Sequence, residues 1–458
     1  MSRLAAPSAR LAAPSTRLAA VLMLVFASFG FAATPVRAAT IEFGRPSISG
    51  SFDSGVVASQ PVTIQGAISR IEVLVTMADS PAPQISEVTI PFAGGETTLQ
   101  HTLGGPDTHI TPNTPVRVRW RITADGTTRI GPEASTIVAD DRFDWQTLSG
   151  DIVRVHWYKG DRRFGERALR IGEREVVETS KLLGVTETKP IDFFIYADQG
   201  PFYDALGPGT RENVGGQANA EIRTLFADIA PSSINDPWVE NVVPHELIHL
   251  VFDTAVDNPY HFPPRWLNEG LAVYLSVGYG PSDRSEVENA ASSGDLIPLD
   301  GLTAQFPTGS GFGLAYAESV SAIDYLVREH GQDALVSLVR SYADGKTDDE
   351  AFTGAIGMDT AAFDDAWLAD LGAKEPMPYG PKPAAPGPVP SGWEGTTPQR
   401  TSAPPVTGAP AAPVATPSIG VDEPARETGT STGLIAVAAA IACSVGLLVW
   451  SRSRRPAR

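Results

Sequence analysis

Short runs of alternating apolar and polar residues fill the chain from position 41 to about 140. Val62-Thr-Ile, Ile71-Glu-Val-Leu-Val, Val88-Thr-Ile and Val116-Arg-Val-Arg-Trp-Arg-Ile each put every second side chain on one face, the period of a half-buried strand. Turn-forming clusters separate them, at Ala78-Asp-Ser-Pro, Gly94-Gly, Gly104-Gly-Pro-Asp and Ala124-Asp-Gly. The pattern predicts about seven short strands, as in an immunoglobulin-like or fibronectin-like sandwich. Beyond Asp151 the pattern mixes. Strands are predicted at Ile152-Val-Arg-Val-His-Trp and Ile191-Asp-Phe-Phe-Ile-Tyr, with an amphipathic helix from Phe164 to Leu183 between them that turns Ala168, Ile171, Val176 and Val177 to a core. The stretch from Gly215 to Phe226 reads as one further strand led by glycines. Past residue 269 only helices are predicted, over 315–330, 332–342, 348–356 and 361–371.

Two apolar stretches lie outside this region. Leu18–Ala33 follows Arg3, Arg10 and Arg17 and precedes Val36-Arg-Ala, the layout of a secretory leader. Gly433–Trp450 carries no charge and would span about 27 Å as a helix, close to a hydrocarbon core. Arg452, Arg454, Arg455 and Arg458 follow it, which places the tail in the cytoplasm. A stretch dense in Pro, Ala, Gly, Ser and Thr precedes it and reads as an extended stalk. The expected organisation is therefore a leader (1–38), a β-sandwich domain (39–145), a catalytic domain (146–374), a stalk (375–430), a transmembrane helix (431–450) and a basic tail (451–458). The bulk of the chain is expected outside the cell membrane.

The chemistry is concentrated in one segment. Residues 245–249 read His-Glu-Leu-Ile-His. On a helix, His245 and His249 share one face and can converge on one metal ion. Glu246 stands beside them, placed to take a proton from a water on that metal. Glu269, in Trp266-Leu-Asn-Glu-Gly, supplies a third, anionic ligand. Two imidazoles and a carboxylate leave a tetrahedral zinc one open position, as hydrolysis requires. Pro244 suits a helix start at this point.

These two motifs resemble those of the gluzincin metallopeptidases, in the version found in membrane alanyl aminopeptidases, and more closely the compact peptidase MA-like domains. The resemblance covers roughly residues 150 to 372. It implies an α+β, thermolysin-like fold and a zinc ion held by His245, His249 and Glu269. It also implies Glu246 as the general base that activates water for peptide hydrolysis. Nineteen residues separate His249 from Glu269, where those aminopeptidases usually have eighteen. The Gly-x-Met-Glu-Asn motif that holds a free amino terminus is missing, so aminopeptidase specificity is not implied. Tyr316 is the candidate donor to the developing oxyanion, its other reading being simple packing at a helix start. His261 and His330 rank below it. Asp253, one turn after His249, reads as a residue that could orient a ligand histidine, its commoner reading being an Asp that faces water. Gly215, Gly216 and Ala218 read equally as an edge that admits a substrate backbone by strand addition and as an ordinary turn and core strand.

Composition narrows the alternatives. The chain has 458 residues and a net charge of −18, with no basic patch for nucleic acid. Its one cysteine, Cys443, lies in the last apolar run, so no disulfide framework is expected. The competing reading is a non-catalytic surface protein that binds peptides or cell-wall components, and an intact Glu246 argues against it. A zinc hydrolase of non-peptide amides would use the same residues.

Overall fold

The structure, a computed structural model, describes residues 39–376 except 79, 81, 90–93, 105–108, 209–213, 259–260, 310 and 374–375. The leader, stalk, membrane helix and tail expected from the sequence lie outside the described residues. Among the described residues no helix is long and apolar enough to cross a membrane.

Two compact units are present. The first contains the described residues up to Gly50, Val56–Leu103 and Val116–Thr136; the second contains Ser51–Gly55, Gly104–Pro115 and the described residues from Ile137 onward. The second unit thus takes in two short stretches from within the β-rich region. Asn113, in one of them, donates to the Asp192 carboxylate and the Thr224 hydroxyl at 3.0 and 2.9 Å.

The first unit is built from antiparallel strands. In one sheet β3 (Gly55–Gln65) pairs with β1 (Thr40–Phe43), β2 (Ser47–Ser51) and β6 (Gly95–Leu103). In the other, β4 (Ile68–Met77) and β7 (Pro115–Ala124) form the centre, with β5 (Gln84–Glu87), β8 (Thr127–Ile130) and β9 (Ala134–Ile137) at their edges. The predicted alternation holds. Val56, Ala58, Val62 and Ile64 of β3 and Val116, Val118, Trp120 and Ile122 of β7 are all buried, and alternating residues such as Val57, Thr63, Arg117 and Arg119 are not. His101 of β6 meets Trp120 of β7 edge-on at 6.5 Å, so the inner faces of the two sheets meet across a shared core. Nine strands are described here against about seven expected.

The second unit is a five-stranded sheet with helices. Its strand order is β10 (Gln146–Ser149), β11 (Val153–Trp157), β12 (Ile191–Tyr196), β14 (Thr224–Asp228), β13 (Gly216–Asn219). The inner strands β11, β12 and β14 run parallel and the outer two antiparallel. Parallel neighbours need a crossover, and α1 (Arg162–Leu183) supplies it between β11 and β12. Asp161 caps its start by accepting from the Phe164 amide, and Gly184, at φ 64°, ends it. A Cβ on Gly165 would fall 2.5 Å from the Trp157 ring, so the glycine lets α1 lie directly on β11. Val177, expected in the core, is 61% exposed, because a helix turns about 100° between it and Val176.

The stretch read as one strand from Gly215 is a hairpin. A single turn of 3-10 helix, Ala220–Ile222, and Arg223 at φ 49° separate β13 from β14. A short helix, α2 (Gln199–Leu206), precedes it. Helices then follow: α3 (Val239–Val256), α4 (Arg265–Ser276), α5 (Pro281–Ser293), α6 (Gly311–His330), α7 (Gln332–Ser341), α8 (Asp348–Ile356) and α9 (Thr360–Asp370). Neither α2 nor α5 was expected. Only Val287 and Ala290 are buried along α5, too few to mark an apolar face.

Candidate metal and catalytic site

Helix α3 is apolar on nearly every side. Val243, Leu247, Ile248, Leu250, Val251 and Phe252 are all fully or almost fully buried, the mark of a core helix. It begins five residues before Pro244, which lies inside it rather than at its start. That proline forgoes the amide that would reach the Glu240 carbonyl one turn back. The first turn is secured instead by the Glu240 side chain, which sits at the favourable end of the helix dipole and pairs with Arg167 and, at 2.7 Å, with Arg174.

His245 and His249 therefore lie one turn apart on a helix buried on both flanks. Their Nε2 atoms are 3.2 Å from each other and their rings stand at 89°. Helix α4 brings the third group. It can approach because position 270 is glycine: a Cβ there would fall 2.5 Å from the Ser319 carbonyl oxygen of α6. Glu269 is buried, and its Oε2 lies 3.6 Å from His245 Nε2 and 3.5 Å from His249 Nε2.

The three ligand atoms lie within 4.8 Å of one another, and no other such cluster occurs among the described residues. His249 Nδ1 is 2.9 Å from Asn268 Oδ1. An amide oxygen only accepts, so in the neutral ring Nδ1 carries the hydrogen and Nε2 presents its lone pair toward the cluster. The donor set, its convergence and this tautomer fit a divalent metal such as zinc.

The electrostatics are consistent with a cation site. Burial would raise the Glu269 carboxyl, but hydrogen bonds from His245 and His249 and their charge hold it well below the usual range. Burial would lower His249, but Glu269 first, then Glu246 and Asn268, push it up to about 9. On its other side Glu269 accepts from Arg265 through Oε1.

Glu246 is set against the sheet. Its Oε2 accepts from the Ala218 amide of β13 at 2.8 Å. A Cβ on Gly216 would fall 2.9 Å from Val242 Cγ1 and 3.0 Å from Glu246 Cγ. The openness of Gly216 is thus used by the motif helix itself, and the residue is buried. β13 pairs with β14 alone among the described strands, which makes it the edge of the sheet.

Tyr316 lies within α6, packed edge-on against Phe306 at 5.2 Å and near Phe312 at 5.0 Å. Burial raises its phenol, and the nearby Glu269 and Glu246 carboxylates raise it further against Arg265. It is therefore a protonated hydroxyl, able to donate. The other candidates lie elsewhere. His261 is paired with Asp348 at 2.9 Å and lies against Tyr342. His330 ends α6, fourteen residues and about 21 Å along the axis from Tyr316. The partner of His249 Nδ1 is Asn268 and not Asp253. Asn268, Arg265 and the Ala218 amide went unforeseen, although the four-residue spacing of Arg265 and Glu269 was visible.

A family model described as Peptidase MA superfamily matches residues 172–373. Mouse glutamyl aminopeptidase is 24% identical over 192 residues, covering 36% of this chain and 20% of the mouse protein. The chain thus spans about a fifth of the length of that curated relative. An aminopeptidase N family protein from Idiomarina loihiensis is similar at a TM-score of 0.39 and 10% identity, over 74% of this chain and 77% of that one. An M1 zinc metallopeptidase variant from Deinococcus radiodurans, bound to a Tyr-Ser-Ala substrate, is similar at a TM-score of 0.34 and 12% identity, over 74% and 94% of the two chains. The family match spans α3, α4 and α6 and contains every residue of the metal cluster. Over residues 172–373 the chain carries a peptidase MA-like domain.

Proposed function

We propose that this protein is a zinc-dependent metallopeptidase. The convergence of His245 Nε2, His249 Nε2 and Glu269 Oε2, with the Glu246 carboxylate beside them, is the observation that carries the reading. His245, His249 and Glu269 would hold a zinc ion, which would supply Lewis acidity and lower the pKa of a water there. Glu246 accepts the proton of the attacking water and delivers it to the leaving nitrogen. The Ala218 amide fixes the position of that carboxylate. Tyr316, a neutral donor in the same buried region, stabilises charge that develops on the substrate carbonyl oxygen. An extended peptide backbone would add along the edge of β13, at groups other than the Ala218 amide that Glu246 already engages.

The remaining features complete the proposal. The leader would direct export and the helix at 431–450 would hold the chain in the cell membrane, with residues 39–430 outside the cytoplasm. The β-rich first unit would be an immunoglobulin-like module preceding the enzyme. A non-catalytic peptide-binding role is disfavoured by Glu246, which a binding protein has no use for. The test is hydrolysis of a peptide library by the purified full-length chain. Cleavage that stops on chelation and returns with zinc supports the reading. Cleavage that persists without metal, or none at any metal loading, rejects it.

A further inference from the structure

We propose that Arg265 determines how Glu269 engages a metal: it occupies Oε1, so that Glu269 offers the ion Oε2 alone. This rests on the metallopeptidase reading above. The two oxygens are divided between distinct partners. Arg265 donates to Oε1 twice, from Nε at 3.2 Å and from Nη2 at 3.0 Å. The two histidine Nε2 atoms face Oε2, at 3.6 and 3.5 Å.

Arg265 is itself fixed from two directions. Its amide donates to the Thr303 carbonyl at 2.9 Å, and its guanidinium lies over the Phe306 ring at 4.8 Å. Both contacts come from one segment, so backbone and side chain are clamped together. Charge-assisted bonds from a planar fork are strong and directional, and stacking on an aromatic face holds the plane. A carboxylate free of such a partner can turn both oxygens to an ion. The second oxygen would then fill a position that a hydrolytic site keeps open. Arg265 is in this sense a positioning residue: it touches the ligand and not the substrate.

Cobalt(II) provides the test, because its visible spectrum and X-ray absorption report coordination without turnover. The full-length wild-type chain and the variants Arg265→Leu, Arg265→Lys and Phe306→Leu are loaded with cobalt, with folding checked by circular dichroism. Arg265→Leu is expected to gain one oxygen ligand and lose visible intensity. Arg265→Lys, which keeps the charge without the fork, is expected to return part of the way. Phe306→Leu, which frees Arg265 without removing it, is expected to shift the same way by less, and carries the test if Arg265→Leu does not fold. Identical spectra and coordination numbers with cobalt bound throughout would overturn the proposal and leave the metallopeptidase reading intact. A wild-type chain that binds no cobalt overturns both.

Discussion

The Ala218 amide donates to Glu246 Oε2 at 2.8 Å, and this bond joins the edge strand of the sheet to the motif helix. It exists because Gly216 lets β13 lie against α3 with no Cβ between them. Gly216→Ala forces the strand and helix apart by a few tenths of an ångström or more, and the carboxylate moves with them. Displacements of that order at a catalytic group cost about 10- to 100-fold in turnover. The expected outcome is a fall of that size in kcat, with KM and metal content close to wild type. A variant with unchanged kcat shows that the close approach does not position Glu246.

Asn268 selects the tautomer of His249 through the contact at 2.9 Å. Asn268→Leu removes the acceptor and leaves Nδ1 free to exchange its hydrogen with Nε2. Loss of such outer-shell partners typically weakens metal binding about 10- to 100-fold. Competition against a chelator measures this directly. Asp253→Asn is the control, since Asp253 does not reach His249; it should leave metal affinity unchanged. Equal affinities in wild type and Asn268→Leu would contradict the assignment.

Asp192 gives the second unit a pH dependence through residues that are not part of the metal cluster. It accepts from Arg154 at 2.8 and 2.7 Å, from His156 at 2.8 Å and from Asn113 at 3.0 Å. Burial raises its carboxyl, but the bonds from His156, Arg154 and Asn113 outweigh that and hold it at about 2. A depressed carboxyl stabilises the fold fully above its ordinary range near 4 and loses that contribution as pH falls toward about 2. The difference is worth on the order of 2 kcal/mol. Urea unfolding of wild type and Asp192→Asn should show a gap that is widest near neutrality and narrows as pH falls below about 4. A gap that stays constant down to about pH 2 would contradict this account.

The site was more legible in the sequence than its surroundings. A four-residue spacing on a helix has one geometric consequence, so His245 and His249 could be placed on one face from sequence, with Glu269 opposite. What sequence periodicity does not encode is how helices meet the sheet. The segment after Gly215 hides its turn because Arg223, not a glycine, adopts the left-handed conformation. Gly216 read equally as room for a substrate and as part of an ordinary turn and core strand, and the structure fills that room with Val242 and Glu246. Pro244 read as a helix start because its cost inside a helix is normally prohibitive; here it falls in the second turn, where a single lost amide is offset by burial on all sides. The second contact of Glu269 was predictable from the spacing to Arg265. The division of its two oxygens was not, since it depends on Phe306, thirty-seven residues further along.

On the proposed mechanism, Glu246 moves the proton at a metal site it does not itself hold. Glu246→Gln keeps the shape and the bond from Ala218 but cannot accept that proton. Turnover of a peptide library by the zinc-loaded full-length chain, wild type against Glu246→Gln, measures this most directly. The expected result is equal zinc content with turnover reduced by about 100- to 10,000-fold. Equal turnover at equal zinc content would contradict it.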